Sequence, residues 1–456
     1  MAQLKNKLNK LNPAQFTMLS FVILCFIGSF ILMLPISNSN GQARDFVSSF
    51  FMSVSSVCVT GLAVVDIGRE FSLFGQFVTL ILMQVGGLSY MTITTIFLYM
   101  LGKKISYSDS KIFDMSNNSD RKIDFTGFVI KIGIFTLAIE TVGFLMMLYH
   151  SIEHDGVSKG IFAAVFHSVS AFCNAGLSLY TDSLCSFRDN YFYLSIFSLL
   201  PIIGGLGYTV LNELWMKLVQ KKRKGSFFNL SLHTRVSIKV TFALLLFGVL
   251  TQTLLIYALG DLFTEFRSHF DNFSLAFFQS IASRSSGFNS IPLNFLGDAS
   301  LIFLIVWMFI GACPGGTGGG IKVTTLAVVF LLMWSSLRES PDTKLFNRAI
   351  PKVVQQRSIV VFIATVVGIL AATFFISILE AEKGQRFIEQ LFEVTSAFTT
   401  VGLSTGITGD LSPLSLIILC VCMIIGRPGP LLFLMAVIPE DKYKRIKYSE
   451  EAILIG

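Results

Sequence analysis

Four phrases in the chain each run from a phenylalanine through a short, mostly apolar stretch to a glycine. They read Phe51-MSVSSVCVT-Gly61-LAVVD, Phe166-HSVSAFCNA-Gly176-LSLYTD, Phe277-FQSIASRSS-Gly287-FNSIPL and Phe392-EVTSAFTTV-Gly402-LSTGIT. Successive glycines are 115, 111 and 115 residues apart. A serine stands six residues before three of them (Ser55, Ser170, Ser396), with Ile281 breaking the pattern in the third phrase. None of the phrases carries an acid–base pair or a metal-ligand set, so any chemistry must come from the main chain. Extended carbonyls can replace the hydration shell of an alkali cation. A glycine at the turning point permits the dihedral angles that aim them inward. The four segments are Val59-Thr60-Gly61-Leu62, Asn174-Ala175-Gly176-Leu177, Ser285-Ser286-Gly287-Phe288 and Thr400-Val401-Gly402-Leu403. Gathered about one axis, they would make a ring of the potassium-filter type.

Such a ring needs elements that hold irregular backbone inside a membrane, and the composition supplies them. Of 456 residues 53% are hydrophobic and 14% charged, against about 25% charged in an ordinary soluble domain. Mean hydropathy is +0.70. Long apolar segments lie near 15–36, 71–101, 127–149, 191–216, 236–258, 299–337, 358–379 and 414–438, each about the length that crosses a bilayer. Between alternate pairs sit stretches too short to span, near 46–60, 159–173, 271–284 and 387–399. They read as re-entrant half-helices whose carbonyl ends, partially negative, face the interior and favour a cation there. The expected fold is an all-α integral membrane protein of four tandem helix–pore-loop–helix repeats around a pseudo-fourfold pore, with eight transmembrane helices and four half-helices. Its units are 1–105, 106–222, 223–340 and 341–456.

Orientation follows from the basic residues. With the N-terminus inside, 25 of the 35 Lys and Arg fall in the inner loops and tail, seven lie outside, and Arg284, Lys322 and Arg427 remain at membrane depth. Both termini are therefore expected in the cytoplasm of a multi-pass plasma-membrane protein. The same distribution assigns the net charge of +7 to loops facing anionic lipid rather than to nucleic acid. Lys5, Lys7 and Lys10 precede a full-length span with no small-residue cleavage site after it, which is not the pattern of a signal peptide.

The phrases together resemble the Trk/Ktr/HKT superfamily of potassium transporters, and within it the bacterial Ktr membrane subunit. The resemblance rests on the four glycine phrases (Thr400-Val401-Gly402 being nearest to a potassium-channel filter), on Arg284-SSGF-Asn289, on Gly311-ACPGGTGGG-Ile321-Lys322, on Gly426-Arg427-Pro428 and on the terminal EEAILIG. It covers about residues 13–456. The first span begins near Gln15, without the extra N-terminal helix pair of Trk chains, which favours Ktr. Membership implies potassium as the transported ion, because glycine stands where a serine accompanies sodium preference in plant relatives. It also implies a bacterial cell membrane, a homodimer, a cytosolic ring of nucleotide-binding RCK-type regulatory subunits, sodium as an activator, and no cofactor in this chain, with nucleotide only on the partner.

The third unit's second span is interrupted by Gly311, Pro314, Gly315, Gly316, Gly318, Gly319 and Gly320, with Thr317 among them, too many breakers for a continuous helix. An unwound loop over 311–321 would plug the pore below the ring, and the resemblance makes it the gate. It is not a phosphate-binding loop, because Ile321 separates the last glycine from Lys322. The resemblance puts Arg427 in the pore as a fixed positive barrier. A buried ion pair between helices is the alternative, and Lys322 has the same two readings. Arg284 is expected behind the ring, donating to carbonyls or to an acid such as Glu393. Glu140 is a buried charge without an assignable partner. His150 and His154 belong to a solvated outer face, and Cys58 and Cys173 pack behind the loops. A membrane enzyme would bring carboxylates or histidines together, whereas the acids here are dispersed. A carrier of inverted repeats would break helices in pairs, whereas four parallel units with one broken span are expected.

Overall fold

The computed structural model describes residues 12–88, 125–219, 230–259, 268–284, 286–340, 342–346 and 348–438. Ser285, the unit limits at 105–106 and 222–223, most of the inner basic loops and the terminal EEAILIG lie outside these residues. Among the described residues the regular elements are helices apart from one two-residue hairpin, Lys344–Leu345 with Arg348–Ala349, and two isolated bridges, Asn38 with Phe71 and Ile310 with Ile321.

Each unit opens on a long apolar helix: α1 (Pro13–Met33), α4 (Phe125–Asp155), α8 (Leu232–Leu259) and α12 (Lys352–Leu379). Among the described residues these four are long and apolar enough to cross a bilayer unaided. Their starts are encoded locally where the cap is described. Asn12 caps α1 in a capping box with Gln15, with Pro13 in the first turn, and Pro351 precedes α12. Their outer faces carry exposed Phe30, Ile134, Leu137, Phe242, Leu254, Val367 and Phe374, a surface stable only against lipid.

A half-helix follows each: α2 (Phe46–Val57), α5 (Val157–Cys173), α9 (His269–Ala282) and α13 (Phe387–Thr399). These are largely buried. In the first two units a half-helix serine fixes the crossing: Ser53 donates to the Cys25 carbonyl at 2.7 Å and Ser168 to that of Glu140 at 2.6 Å. The fold is therefore four helix–half-helix–helix units.

The second helices depart from the expectation of one broken span. The third unit's is split into α10 (Asp298–Phe309) and α11 (Val323–Leu337), as expected. Two others are broken as well. Between α6 (Tyr191–Gly205) and α7 (Tyr208–Val219), and between α14 (Pro413–Gly426) and α15 (Pro430–Val437), the axis turns by 94°. The breaks fall at Gly207 (φ +90°) and Gly429 (φ +95°), the latter behind Pro428, which has no amide to donate. In the first unit α3 (Leu73–Gly87) is described to Leu88. The number of broken spans therefore does not separate this chain from a carrier.

Candidate functional site

Every described filter-type segment starts where a half-helix stops. Val59 (φ 53°), Asn174 (φ 60°) and Thr400 (φ 50°) turn the chain through the left-handed region two residues before their glycines. Asparagine suits that region, but valine and threonine are β-branched and cost about 1–3 kcal/mol each there, so the surrounding packing imposes the turn. The recurring serine has a local task. Ser55 accepts the Gly61 amide at 3.2 Å, Ser396 accepts the Gly402 amide at 3.0 Å, and Ser170 donates to the Leu177 carbonyl at 2.7 Å.

The four glycines meet, and each approaches the carbonyl that precedes the next glycine. A Cβ added at Gly61 (φ +103°) would lie 2.6 Å from the Ala175 oxygen. One at Gly176 would lie 2.8 Å from the Ser286 oxygen, one at Gly287 2.5 Å from the Val401 oxygen, and one at Gly402 2.0 Å from the Thr60 oxygen. The fourth contact returns to the first unit and closes the cycle. No side chain fits at any of the four positions. Among the described residues, the buried hydroxyls Thr60 Oγ1, Ser286 Oγ and Thr400 Oγ1 at the ring have no hydrogen-bond partner, as is also true of buried polar atoms elsewhere such as Ser29 Oγ and Trp307 Nε1. A cavity of about 390 Å³ is lined by all four glycines and, on its wall, by Asp66 and Glu70.

Opposite this cavity, residues 310–322 cross beneath the ring without helical structure. The loop closes on itself: Gly311 donates to the Ile321 carbonyl at 3.0 Å and Ile321 to that of Phe309 at 3.3 Å. It also takes up the groups released by the break in the second unit. Cys313 and Thr317 donate to the carbonyls of Gly205 (2.9 Å) and Gly204 (3.1 Å), and the Tyr208 amide donates to that of Gly315 (3.1 Å). The broken helix is tolerated at membrane depth because this loop completes its hydrogen bonds. Thr317 Oγ1 donates to the Phe172 carbonyl at 3.2 Å, at the end of the second half-helix. A Cβ at Gly319 would meet Thr400 Oγ1 at 2.0 Å, so the loop lies directly against the fourth segment.

Three cations hold this loop through its carbonyls. Arg427, buried at the break between α14 and α15, donates to the carbonyls of Thr317 and Gly86. Lys322 Nζ donates to the Gly318 carbonyl at 2.7 Å, and Arg284 Nη2 to that of Gly311 at 3.2 Å. The hydrogen-bond partners of Arg427 are thus backbone oxygens from two other units rather than an acid. Arg284 does not reach Glu393, whose carboxylate is occupied by Ser404, Thr405 and Thr408. The Cys173 thiol donates to Glu140 at 3.7 Å, an acceptor that spacing alone does not reveal. His150 pairs with Asn190 at 3.0 Å and His154 with Asp155 at 2.9 Å. On the outer rim Glu380 joins the end of α12 to the start of α14. Burial would raise its carboxyl, but hydrogen bonds from Ser412 and Ser415, with Lys383 alongside, outweigh it and hold it down at about 2.

The chain that forms this arrangement has relatives over nearly its whole length. The profile of TrkH, described as a cation transport protein, matches residues 4–446. The chain belongs to the TrkH family. Within this family it is 37% identical to the Ktr system potassium uptake protein B of Vibrio alginolyticus, over 96% of this chain and 94% of that one. It is 32% identical to the Bacillus subtilis protein of the same name, over 98% and 97%. The potassium/sodium uptake protein NtpJ of Enterococcus hirae is 31% identical over the full length of both chains. The crystal structure of the potassium transporter TrkH from Vibrio parahaemolyticus superposes with a TM-score of 0.73 at 18% identity, covering 94% of this chain and 86% of that one, which supports the TrkH fold.

Proposed function

We propose that the chain is the potassium-translocating, pore-forming subunit of a Ktr-type uptake system. Residues 59–62, 174–177, 285–288 and 400–403, in units 1–105, 106–222, 223–340 and 341–456, are its selectivity filter. The cyclic approach of each filter glycine to the next unit's carbonyl carries this reading. Four backbone oxygens on one axis can replace the water of a dehydrated alkali ion, and unpaired hydroxyls beside them leave room for further coordination. Asp66 and Glu70 at the cavity wall are paired with Arg69 (3.8 Å) and Arg44 (2.9 Å), so the backbone oxygens rather than these carboxylates carry the cation preference of this reading. The loop from Gly311 through Pro314 to Gly320, with Lys322 and Arg427, is the gate. Arg427 places a positive charge beneath the filter and keeps the loop engaged through Thr317. Releasing the loop requires exchanging its hydrogen bonds to Arg427, Arg284 and the carbonyls of Gly204 and Gly205.

Relatives named for a Ktr system support a partner subunit. The resemblance to the Ktr membrane subunit extends the reading to a cytosolic RCK-type ring that binds nucleotide and acts on a homodimer of this chain. The potassium/sodium name of the Enterococcus relative fits sodium as activator or second ion. The bias of basic residues supports a cytoplasmic location for both termini, and the resemblance a bacterial cell membrane. The test is expression, with a regulatory subunit, in cells lacking potassium uptake. Growth at limiting potassium and rubidium-tracer uptake should return. Membrane-inserted protein that restores neither would refute the proposal.

A further inference from the structure

Nine residues before each filter glycine, the four half-helices place Met52, His167, Phe278 and Glu393. All four are buried, but only those of the second and fourth units are polar. These two units face each other across the ring, since contacts run from each unit to the next in chain order. Both polar residues bind the same two places in their own repeat. His167 Nε2 accepts the amide of Leu179, three residues after Gly176, at 3.2 Å, and pairs with Ser178 Oγ at 3.1 Å. Glu393 Oε1 accepts the amide of Thr405, three residues after Gly402, at 3.0 Å, and the hydroxyl of Ser404 at 2.5 Å. Its Oε2 accepts from Thr408 at 2.8 Å.

We infer that His167 and Glu393 are a diagonal pair of positioning residues that fix the chain just beyond the filter; this rests on the filter reading above. The geometry of the peptide gives the consequence. In a trans peptide the N–H points opposite to the preceding C=O. Drawing the Leu179 and Thr405 amides back toward the half-helices turns the Ser178 and Ser404 carbonyls the other way, toward the cavity that both residues line. Two opposed oxygens are thus held one step above the glycine ring. The other two units are braced differently. Thr181, beyond His167, donates to Asp66 of the first unit at 2.6 Å, and the Leu184 amide donates to the Asn289 carbonyl of the third at 3.0 Å. His167 therefore steadies the segment on which both neighbours lean, while Glu393 steadies the fourth unit from within.

The repeats provide their own test residues: Glu393→Met installs what the first unit carries, His167→Phe what the third carries, and Glu393→Gln keeps an acceptor for the Thr405 amide. Each is purified, its melting temperature measured, and potassium-over-sodium preference read by competing rubidium-tracer uptake into vesicles with the regulatory subunit present. Glu393→Met should lower the preference about tenfold in protein that still melts cooperatively, as expected for leaving the Thr405 amide without its acceptor. His167→Phe should lower it less, and Glu393→Gln should stay within about twofold of the parent. Gly402→Ser is run alongside. If it destroys the preference while folded Glu393→Met and His167→Phe keep it, the inference fails and the filter reading stands; if it too is without effect, the filter reading falls. A Glu393→Gln as impaired as Glu393→Met would also overturn the anchoring role. Should Glu393→Met not fold, His167→Phe decides by the same criterion.

Discussion

Replacing Gly402 by serine puts the proposed filter under the most direct strain. The new Cβ would stand 2.0 Å from the Thr60 oxygen and 2.8 Å from the Gly61 Cα, at a φ of +93° that side chains rarely adopt. Real Cβ contacts essentially never fall below 3.0 Å, so one of the two segments must move by at least about 1 Å. Backbone strain of about 1–3 kcal/mol and overpacking of similar size sum to about 2–6 kcal/mol, spread between folding and ion coordination. If a quarter to a half of that reaches the coordinated ion, about 0.5–3 kcal/mol, potassium preference over sodium falls by about twofold to a hundredfold, since tenfold is about 1.4 kcal/mol. The assay is rubidium-tracer uptake into vesicles competed by potassium or sodium, on protein with a measured melting temperature. Gly61→Ser, 2.6 Å from the Ala175 oxygen, should be the milder change. Gly133→Ala, with nothing within 4 Å of its added Cβ, should be silent. Folded Gly402→Ser protein with the parent's preference would refute the coordination by these carbonyls.

Three further outcomes follow from the same geometry. Arg427→Gln removes the positive charge and can replace at most part of the donation to Thr317 and Gly86, so unstimulated potassium flux should rise about tenfold or more; unchanged flux would remove Arg427 from the gate. Gly319→Ala sets a Cβ 2.0 Å from Thr400 Oγ1; the loop, held by hydrogen bonds of about 1 kcal/mol each, should yield first, raising unstimulated flux with preference kept within about twofold. Glu380 titrates at about 2, below the carboxyl's usual 4.5, so its stabilisation is full above 4.5 and is lost as pH falls toward 2. The melting temperature of the parent should therefore drop more steeply across that window than that of Glu380→Gln, and parallel curves would contradict the assignment.

The fold and the converging glycines were legible in the sequence because both are written in residue type. Spans follow from runs of apolar side chains, and the four phrases follow from the need for glycine where backbone must approach backbone. The loop at 311–321 was legible for the same reason, since so many glycines and a proline cannot continue a helix. The breaks at Gly207 and Gly429 carried the same local signal more faintly and were read as continuous spans. A single glycine, or an Arg-Pro-Gly step, breaks a membrane helix only where another segment completes the freed hydrogen bonds. In the second unit that segment is the loop of the third, about a hundred residues away.

What the amino-acid order determined alone is therefore the periodic part of this protein: apolar length, half-helix length and the four places where no side chain can stand. What only the tertiary structure decided is pairing across units. Arg427 rests on Thr317 and Gly86, Arg284 on Gly311 rather than Glu393, and Glu393 on the loop beyond its own filter segment. Polar groups at membrane depth must find partners wherever packing brings a carbonyl or hydroxyl within about 3 Å, and that proximity belongs to the assembled ring rather than to any local stretch of chain.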